Sequence, residues 1–497
     1  MAKRKIVVRK SEDSPQLSLL SEIEGPKYTK EQETFVTYDG ENSIVLAATA
    51  GAGKTHSSIE RLRTLLKRGV EPEKIIFFSF TKAATEELQK RIGSDKIKIT
   101  TIHAFCFGIL SSIGKFKKIA TFYDFIIWFQ KKYKPKPGDT QEVKDFFYNT
   151  ISNLFDDHDF LSSAIAAYKL QSAEGIKCMV PDYLNEYNKF LREERARDFS
   201  DMLIEVRDLF REDKWLKMFR GKYDYIFIDE YQDTSTIQLQ ILLSLNAKYY
   251  YLIGDRNQSI YGYSGANCTA LEEMLKERRP GTIEMSLSIN FRSDQNIVKN
   301  SNNFSTLKAT ANSKEDGFVD DKIMWRIDEL VELLQLQEQV VVLVRTNDII
   351  KKIEFMMLKR KLPMKYFNYI TPTDIKNFHA GEIHQSLKNK LSALSKYFED
   401  EKDIIHFIEH HKNSNKFITT IHKSKGREFD TCVVVNSISP FLLEEDPNYG
   451  MLTKKQLEKI TFDPDDEINV EPRNIHYVAV SRSKHKLYFM VMLFSDK

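Results

Sequence analysis

Cysteine, long apolar runs and a charge of one sign are all scarce in this sequence, and each scarcity narrows the function. The four cysteines, Cys106, Cys178, Cys268 and Cys432, stand far apart and form no C-x-x-C pair. That removes the spacing used by zinc and iron–sulfur sites and leaves structural thiols in a reducing compartment. No stretch approaches the roughly 18 consecutive apolar residues of a membrane-spanning helix. The start Met1-Ala2-Lys3-Arg4-Lys5 lacks the apolar core of a secretory signal, so a cytoplasmic protein with no membrane partner is expected. Lys and Arg number 74 against 71 Asp and Glu, a net +3, so an anionic partner has to be met by a local basic surface. Internal repeats at periods of roughly 20–50 residues are absent, which excludes solenoids and arrays.

What is present is a long chain, 497 residues with 41% apolar content, enough for two or more cores. Apolar, β-branched runs recur and are each closed by small or polar residues: Ile44-Val45-Leu46-Ala47, Ile75-Ile76-Phe77-Phe78, Tyr225-Ile226-Phe227-Ile228, Tyr250-Tyr251-Leu252-Ile253, Val340 to Val344, and Cys432 to Val435. Such runs predict buried parallel strands. Segments of helical spacing lie between them, as in Ile59, Leu62, Leu65 and Leu66, so the chain is expected to be α/β. Two stretches break the alternation: residues 111–195 predict a helical insertion and 370–416 a second, charged helical interval. Residues 1–25 are polar and predict a flexible tail, with Leu17, Leu19, Leu20 and Ile23 as a possible docking peptide.

Ala48-Thr49-Ala50-Gly51-Ala52-Gly53-Lys54-Thr55 follows the first strand run and opens a helical pattern, the context a phosphate-binding loop requires. Small residues let backbone N–H groups close around phosphate oxygens; Lys54 is the candidate for the β and γ phosphates and Thr55 for Mg²⁺. The motif alone is common enough to arise by accident. Tyr225 to Ile228, however, runs straight into Asp229-Glu230, which sets two carboxylates at the carboxyl end of a buried strand, where ligands sit in open α/β sheets. Asp229 is suited to hold Mg²⁺ and Glu230 to orient or deprotonate an attacking water. Arg292 and Arg482 are candidate cations for charge developing on a γ-phosphate.

Taken in order, these blocks resemble the motif series of superfamily 1A helicases, the group of UvrD, Rep and PcrA. Tyr28-Thr29-Lys30-Glu31-Gln32 is similar to the adenine-reading Q motif, Phe80 to Leu88 to motif Ia, and Thr101 to Cys106 to the segment after it. Asp229 to Thr234 and Gly254 to Ala266 resemble motifs II and III, the most specific signals. Leu287 to Ser293, Val344 to Asn347, Thr420 to Phe429 and Glu471 to Arg482 resemble motifs IV, IVa, V and VI.

The resemblance implies two RecA-like P-loop domains, one from 26–110 and 196–285, the other from 286–369 and 417–497, with a helical 1B insertion at 111–195 and a reduced 2B insertion at 370–416. It implies ATP and Mg²⁺ as cofactors, with Ala50, Gly51, Ala52, Gly53, Lys54 and Thr55 on the phosphates, Gln32 on the base edge, Phe291 stacked on adenine and Glu428 on the ribose. It further implies Gln258 as sensor of the γ-phosphate and Arg292 and Arg482 as arginine fingers. Phe80, Thr81, Thr101, His103, Tyr261, Tyr263 and His422 match DNA-track positions, where bases stack on rings and phosphates lie along a groove. Lys115, Lys117, Lys118, Lys131, Lys132, Lys134 and Lys136 either meet duplex phosphates or form a solvated face.

The sequence also departs from the family. Tyr263 and Ser264 stand where tryptophan and arginine are usual, and His56 where an arginine packs on adenine. Asn257, Lys82 and Arg427 are further replacements. Only about 50 residues fill the place of the regulatory 2B subdomain, and fifteen follow Arg482, which leaves no room for a carboxyl-terminal nuclease. The expected activity is 3′-to-5′ unwinding by a monomer on single-stranded DNA and duplex junctions, in a bacterial or phage-infected cell, with loading or regulatory proteins as partners. The competing expectation is a translocase that strips proteins or remodels recombination intermediates with little unwinding. A small-molecule kinase is a poorer fit, having no use for motifs III to VI.

Overall fold

The computed structural model describes residues 28–115, 117–156, 158–177, 179–262, 266–324, 326–381, 385–438 and 470–493. The expected tail at 1–25 lies outside them. Six strands form a first sheet: β1 (Ile44–Ala48), β2 (Ile75–Phe78), β3 (Lys98–Thr100), β4 (Tyr225–Asp229), β5 (Tyr249–Gly254) and β6 (Ile283–Leu287), in the order β3-β2-β4-β5-β1-β6. Every pairing is parallel. The strands read as unbroken apolar runs because helices cover both faces. Val45, Ile76, Ile226 and Leu252 point into one core, and Leu46, Phe77, Phe227 and Tyr251 into the other.

A second sheet repeats the plan with β7 (Phe318–Met324), β8 (Val340–Val344), β9 (Lys416–Thr420), β10 (Phe429–Ile438) and β11 (Ser483–Leu493), ordered β7-β11-β10-β8-β9 and again all parallel. Val340, Val342 and Val433 face one core, Val341, Leu343 and Cys432 the other. The α/β expectation therefore holds: two parallel sheets, each covered on both faces. Cys106 and Cys432 are buried free thiols and Cys268 is partly covered, as structural thiols should be.

Residues 111–195 are mostly helical, with a two-residue strand at Lys118–Ile119. Helices at Phe122–Tyr133, Gln141–Asp156, His158–Ala173 and Leu184–Glu193 enclose a core of their own around Phe125, Leu154, Ile165 and Phe190. The interval 370–416 is different. Its helices Pro372–His379, Gln385–Leu394 and Glu401–His410 place Leu387, Leu391, Leu394, Ile404 and Ile408 in the same core as Val340 and Val342. The short interval thus forms a layer on the second sheet, with no separate hydrophobic centre. Among the described residues no helix is long and apolar enough to cross a membrane.

Parallel strands bring their carboxyl ends to one edge, and in the first sheet β5 lies between β1 and β4. The loop after β1, Asp229 at the end of β4 and the turn after β5 are therefore neighbours by topology alone.

Candidate functional site

Between β1 and the helix Lys54–Lys67 the chain must reverse within a tight, buried loop. Gly51 and Gly53 do this with φ of +72° and +77°, a region that side chains enter only at a cost. Gly51 has a second reason to lack a side chain, because a Cβ there would lie 2.7 Å from Arg292 Cβ and 2.9 Å from Asn290 Oδ1. The second unit thus presses on the loop: Asn290 Nδ2 donates to the Ala50 carbonyl at 2.8 Å and the Phe291 N–H to that of Gly51 at 2.9 Å.

Lys54 Nζ stands 3.9 Å from Glu230 Oε1, and the Thr55 hydroxyl donates to Asp229. Burial, with Glu230 adjacent, pushes the Asp229 carboxyl up to about 7. Glu230 is held below its usual range despite burial, because Lys54 and Lys425 face it. Glu230 has φ +53° and ψ +43°, a left-handed backbone that costs a non-glycine residue about 1–2 kcal/mol. Strain of this kind is characteristic of positioned functional groups. It turns the carboxylate toward Gln232, whose Nε2 donates to Glu230 Oε2 at 2.5 Å while its Oε1 accepts the Asp255 N–H at 3.1 Å. Gly254 makes room for that amide, since a Cβ there would lie 2.1 Å from Gln232 Oε1.

Across the cleft, Arg482 is 1% exposed and burial lowers its guanidinium to about 9, with Arg292 nearby adding to the effect. Its Nη2 donates to Gln258 Oε1 at 3.3 Å, and Gln258 Nε2 donates to Asp255 Oδ2 at 2.8 Å. Arg292 donates from Nε to Glu428 Oε2 at 2.8 Å and from Nη1 to the Ser481 carbonyl at 3.2 Å. Lys54, Thr55, Asp229, Glu230, Gln258 and Arg482 are thereby drawn into one cluster, with Arg292 beside it. An acidic pair with a hydroxyl, a flexible ammonium and a buried guanidinium suits phosphoryl transfer: carboxylate and hydroxyl oxygens match a hard divalent cation, and the two cations match phosphate.

On the base side the fit is looser. Gln32 closes a capping box with Thr29 and donates from Nε2 to the Ala52 carbonyl at 3.3 Å, so its amide braces the phosphate loop. His56 lies 6.2 Å from the Tyr28 ring. Phe291 is 47% exposed and Glu428 is exposed at the cleft, so both are accessible to a nucleoside.

Three of the residues expected to form a DNA track, Phe80, Tyr261 and His422, meet in one place. The Phe80 ring, 45% exposed, lies 5.5 Å from that of Tyr261, which in turn lies 5.7 Å from His422. Thr81 and Thr101 cap the helices Lys82–Ile92 and Ile102–Ser112, whose amino ends favour anions. His103 packs on Phe199 at 5.2 Å. Tyr263 lies outside the described residues. Lys115, Lys117, Lys118, Lys131, Lys132, Lys134 and Lys136 are exposed, and Lys132 pairs with Glu193 at 2.5 Å.

Five residues of the cluster escaped the sequence reading: Gln232, Asp233, Asp255, Lys425 and Tyr477. Gln232 and Asp233 follow the paired carboxylates directly, and that position was the available signal. Lys425 and Tyr477 lie inside the blocks that resemble motifs V and VI, but nothing in the sequence shows that they reach across the cleft, Lys425 to Asp233 and Tyr477 to Asp255. Arg427, unexplained by sequence, stacks its guanidinium 5.3 Å from the Phe417 ring and 5.2 Å from that of Phe429.

Comparison with known proteins agrees with this geometry. Residues 28–279 match the model of the UvrD/REP helicase N-terminal domain and residues 375–493 that of the UvrD-like helicase C-terminal domain. A probable DNA helicase of Mycoplasma pneumoniae is 25% identical over 488 residues, 93% of this chain and 82% of the relative. ATP-dependent DNA helicase PcrA of Bacillus subtilis is 28% identical over 305 residues, 57% of this chain and 40% of the relative. A probable DNA helicase II homolog of Mycoplasma genitalium is 31% identical over 312 residues, 57% of this chain and 43% of the relative, so the match spans less than half of these last two. With one model covering residues 28–279, half of the sequence, the chain belongs to the UvrD/REP helicase family.

Proposed function

We propose that this chain is an ATP-driven motor that moves 3′-to-5′ along single-stranded DNA and unwinds the duplex ahead of it. One observation carries the reading. Lys425 Nζ lies 5.2 Å from the Tyr261 ring, 2.7 Å from both Asp233 oxygens and in hydrogen-bond contact with the Gln258 carbonyl. A base stacked on the track is thus one side chain removed from the carboxylates and the sensor of the nucleotide site.

In this reading Lys54 and Arg482 hold the transferring phosphoryl group, and Glu230, braced by Gln232, takes the proton of the attacking water. Asp229 and Thr55 supply the oxygens for Mg²⁺, which when bound would neutralise charge on the β and γ phosphates. Phe291 and Glu428 receive the nucleoside, and His56 in place of arginine relaxes the grip on the base. The lobe at 111–195 meets the duplex, and the thin layer at 370–416 takes the place of a regulatory 2B subdomain, so that loading and regulation pass to partner proteins. A monomer in the cytoplasm is the working unit.

The second reading, a translocase that strips proteins with little unwinding, shares every residue of the cluster; the single-layer 370–416 interval favours it by leaving little surface to regulate strand separation. ATP turnover with and without single-stranded DNA tests the motor, and absence of stimulation rejects both readings. Duplexes with 3′ or 5′ tails then separate them: unwinding from a 3′ tail supports the helicase, and ATP turnover without unwinding on either tail supports the translocase.

A further inference from the structure

Among the described residues, the hydrogen bonds of the Tyr477 hydroxyl all run to the other unit. The phenol is 2% exposed on the helix Val470–Val480, yet the hydroxyl accepts the Ala50 N–H at 3.1 Å and donates to Asp255 Oδ2 at 3.2 Å. Both partners belong to the first unit, one in the phosphate loop and one in the turn after β5. Burial and the facing Asp255 carboxylate raise the phenol well above its usual range, so it stays a neutral donor.

Asp255 is the pivot. Its Oδ2 also accepts from Gln258 Nε2 at 2.8 Å, while Oδ1 accepts the Asn257 N–H at 3.0 Å and Asn257 Nδ2 at 3.3 Å. With Nε2 fixed on Asp255, the Gln258 amide presents Oε1 to Arg482 Nη2 at 3.3 Å. Tyr477 and Arg482 lie five positions apart on one segment. They grip the two ends of the same chain: Tyr477 hydroxyl, Asp255 carboxylate, Gln258 amide, Arg482 guanidinium. An amide held at only one end can turn over and offer its NH₂ where an oxygen is needed.

We propose that Tyr477 is a positioning residue: its hydroxyl, reaching across the cleft to Asp255 and the phosphate loop, sets the orientation of Gln258 and the register of Arg482 for the transition state. The chain of bonds spans the two units, so it ties their apposition to the geometry of Gln258 and Arg482. This rests on the assignment of Gln258 and Arg482 to phosphoryl transfer.

Tyr477→Phe keeps the ring and its packing and removes only the oxygen. With full-length protein and saturating single-stranded DNA, kcat for ATP should fall about tenfold, the loss of roughly one hydrogen bond, with KM within twofold. Affinity for ADP with aluminium fluoride should fall by a similar factor while affinity for ADP alone is unchanged. Asp255→Asn, which keeps the shape and weakens both acceptances, should reproduce the split. Wild-type kcat in Tyr477→Phe overturns the proposal, and so does equal weakening of ADP and ADP–aluminium fluoride, the mark of a structural role. Arg482→Ala serves as the separate control: turnover at the wild-type rate in that variant rejects the assignment of the finger itself, whatever Tyr477 does.

Discussion

Lys425 and Asp233 form an ion pair across the cleft, Nζ to both carboxylate oxygens at 2.7 Å, with side chains 10% and 1% exposed. Burial pushes Asp233 up to about 7 even with that ammonium opposite. Removing one member of a buried pair strands the other and costs about 3–5 kcal/mol. Lys425→Ala should therefore lower stability by about that amount in denaturant titration and abolish stimulation of ATP turnover by single-stranded DNA. Lys425→Met with Asp233→Asn should restore most of the stability but none of the stimulation. Stimulation regained in the double variant would break the link between track and site.

Lys54 and Arg482 enter the cluster from opposite units, whereas the rings of Phe80 and Tyr261 lie outside it. Lys54→Ala and Arg482→Ala should each reduce ATP turnover by at least about a hundredfold, the scale of a lost transition-state contact in a buried site, and leave binding of a single-stranded oligonucleotide within a few-fold of wild type. Turnover and fluorescence anisotropy on the same preparations decide it.

Gly254 offers a test through the backbone. A methyl group there would overlap Gln232 Oε1 at 2.1 Å and Tyr231 Cδ1 at 2.7 Å. Gly254→Ala must push aside the amide that holds Glu230, so kcat should fall at least tenfold with a stability loss of about 1–3 kcal/mol. Full activity in this variant would show that Gln232 does not set the Glu230 carboxylate.

These residues differ in how far the sequence exposed them. Lys54, Asp229 and Glu230 were legible because the phosphate loop and the acidic pair each depend on contiguous residues at a strand end, and parallel pairing then fixes their neighbourhood. The two sheets were legible for the same reason, as unbroken apolar runs. Tyr477 was not: a tyrosine in the apolar stretch Tyr477-Val478-Ala479-Val480 looks like core, and its role comes from the hydroxyl reaching Ala50, 427 positions away. Lys425 is a lysine among several in a basic stretch until Asp233 is placed opposite. The interval 370–416 was legible as helical, but periodicity cannot say which core a helix joins, and the structure puts it on the second sheet.

Two histidines near the track give a pH dependence with a definite sign. Burial lowers His103 below 6.5, and burial with Arg345 and Lys425 nearby does the same for His422. In the folded protein both stay neutral to lower pH than a free imidazole does, and His422 Nε2 sits 3.2 Å from the Ile260 carbonyl. A depressed base contributes stability that is complete above the unfolded value of 6.5 and is lost as pH falls through the window between 6.5 and the lower folded value. The thermal midpoint should drop on acidification below 6.5, and the double change His103→Gln with His422→Gln should flatten that part of the curve. An unchanged slope would mean that the two rings titrate normally.

Phe80 separates stacking from charge. Its ring is 45% exposed and tilted 32° to that of Tyr261 at 5.5 Å, an open aromatic step on which a base can rest. Stacking on an aromatic side chain is worth about 1–3 kcal/mol per base, so Phe80→Ala should weaken single-stranded DNA binding roughly 5- to 150-fold, and Phe80→Trp should keep it. No charge is removed, so no counterion release is lost, and the slope of log affinity against log salt should stay at the wild-type value. A shallower slope would mean that the ring acts by holding a cation in place, and unchanged affinity would return Phe80 to the ordinary surface.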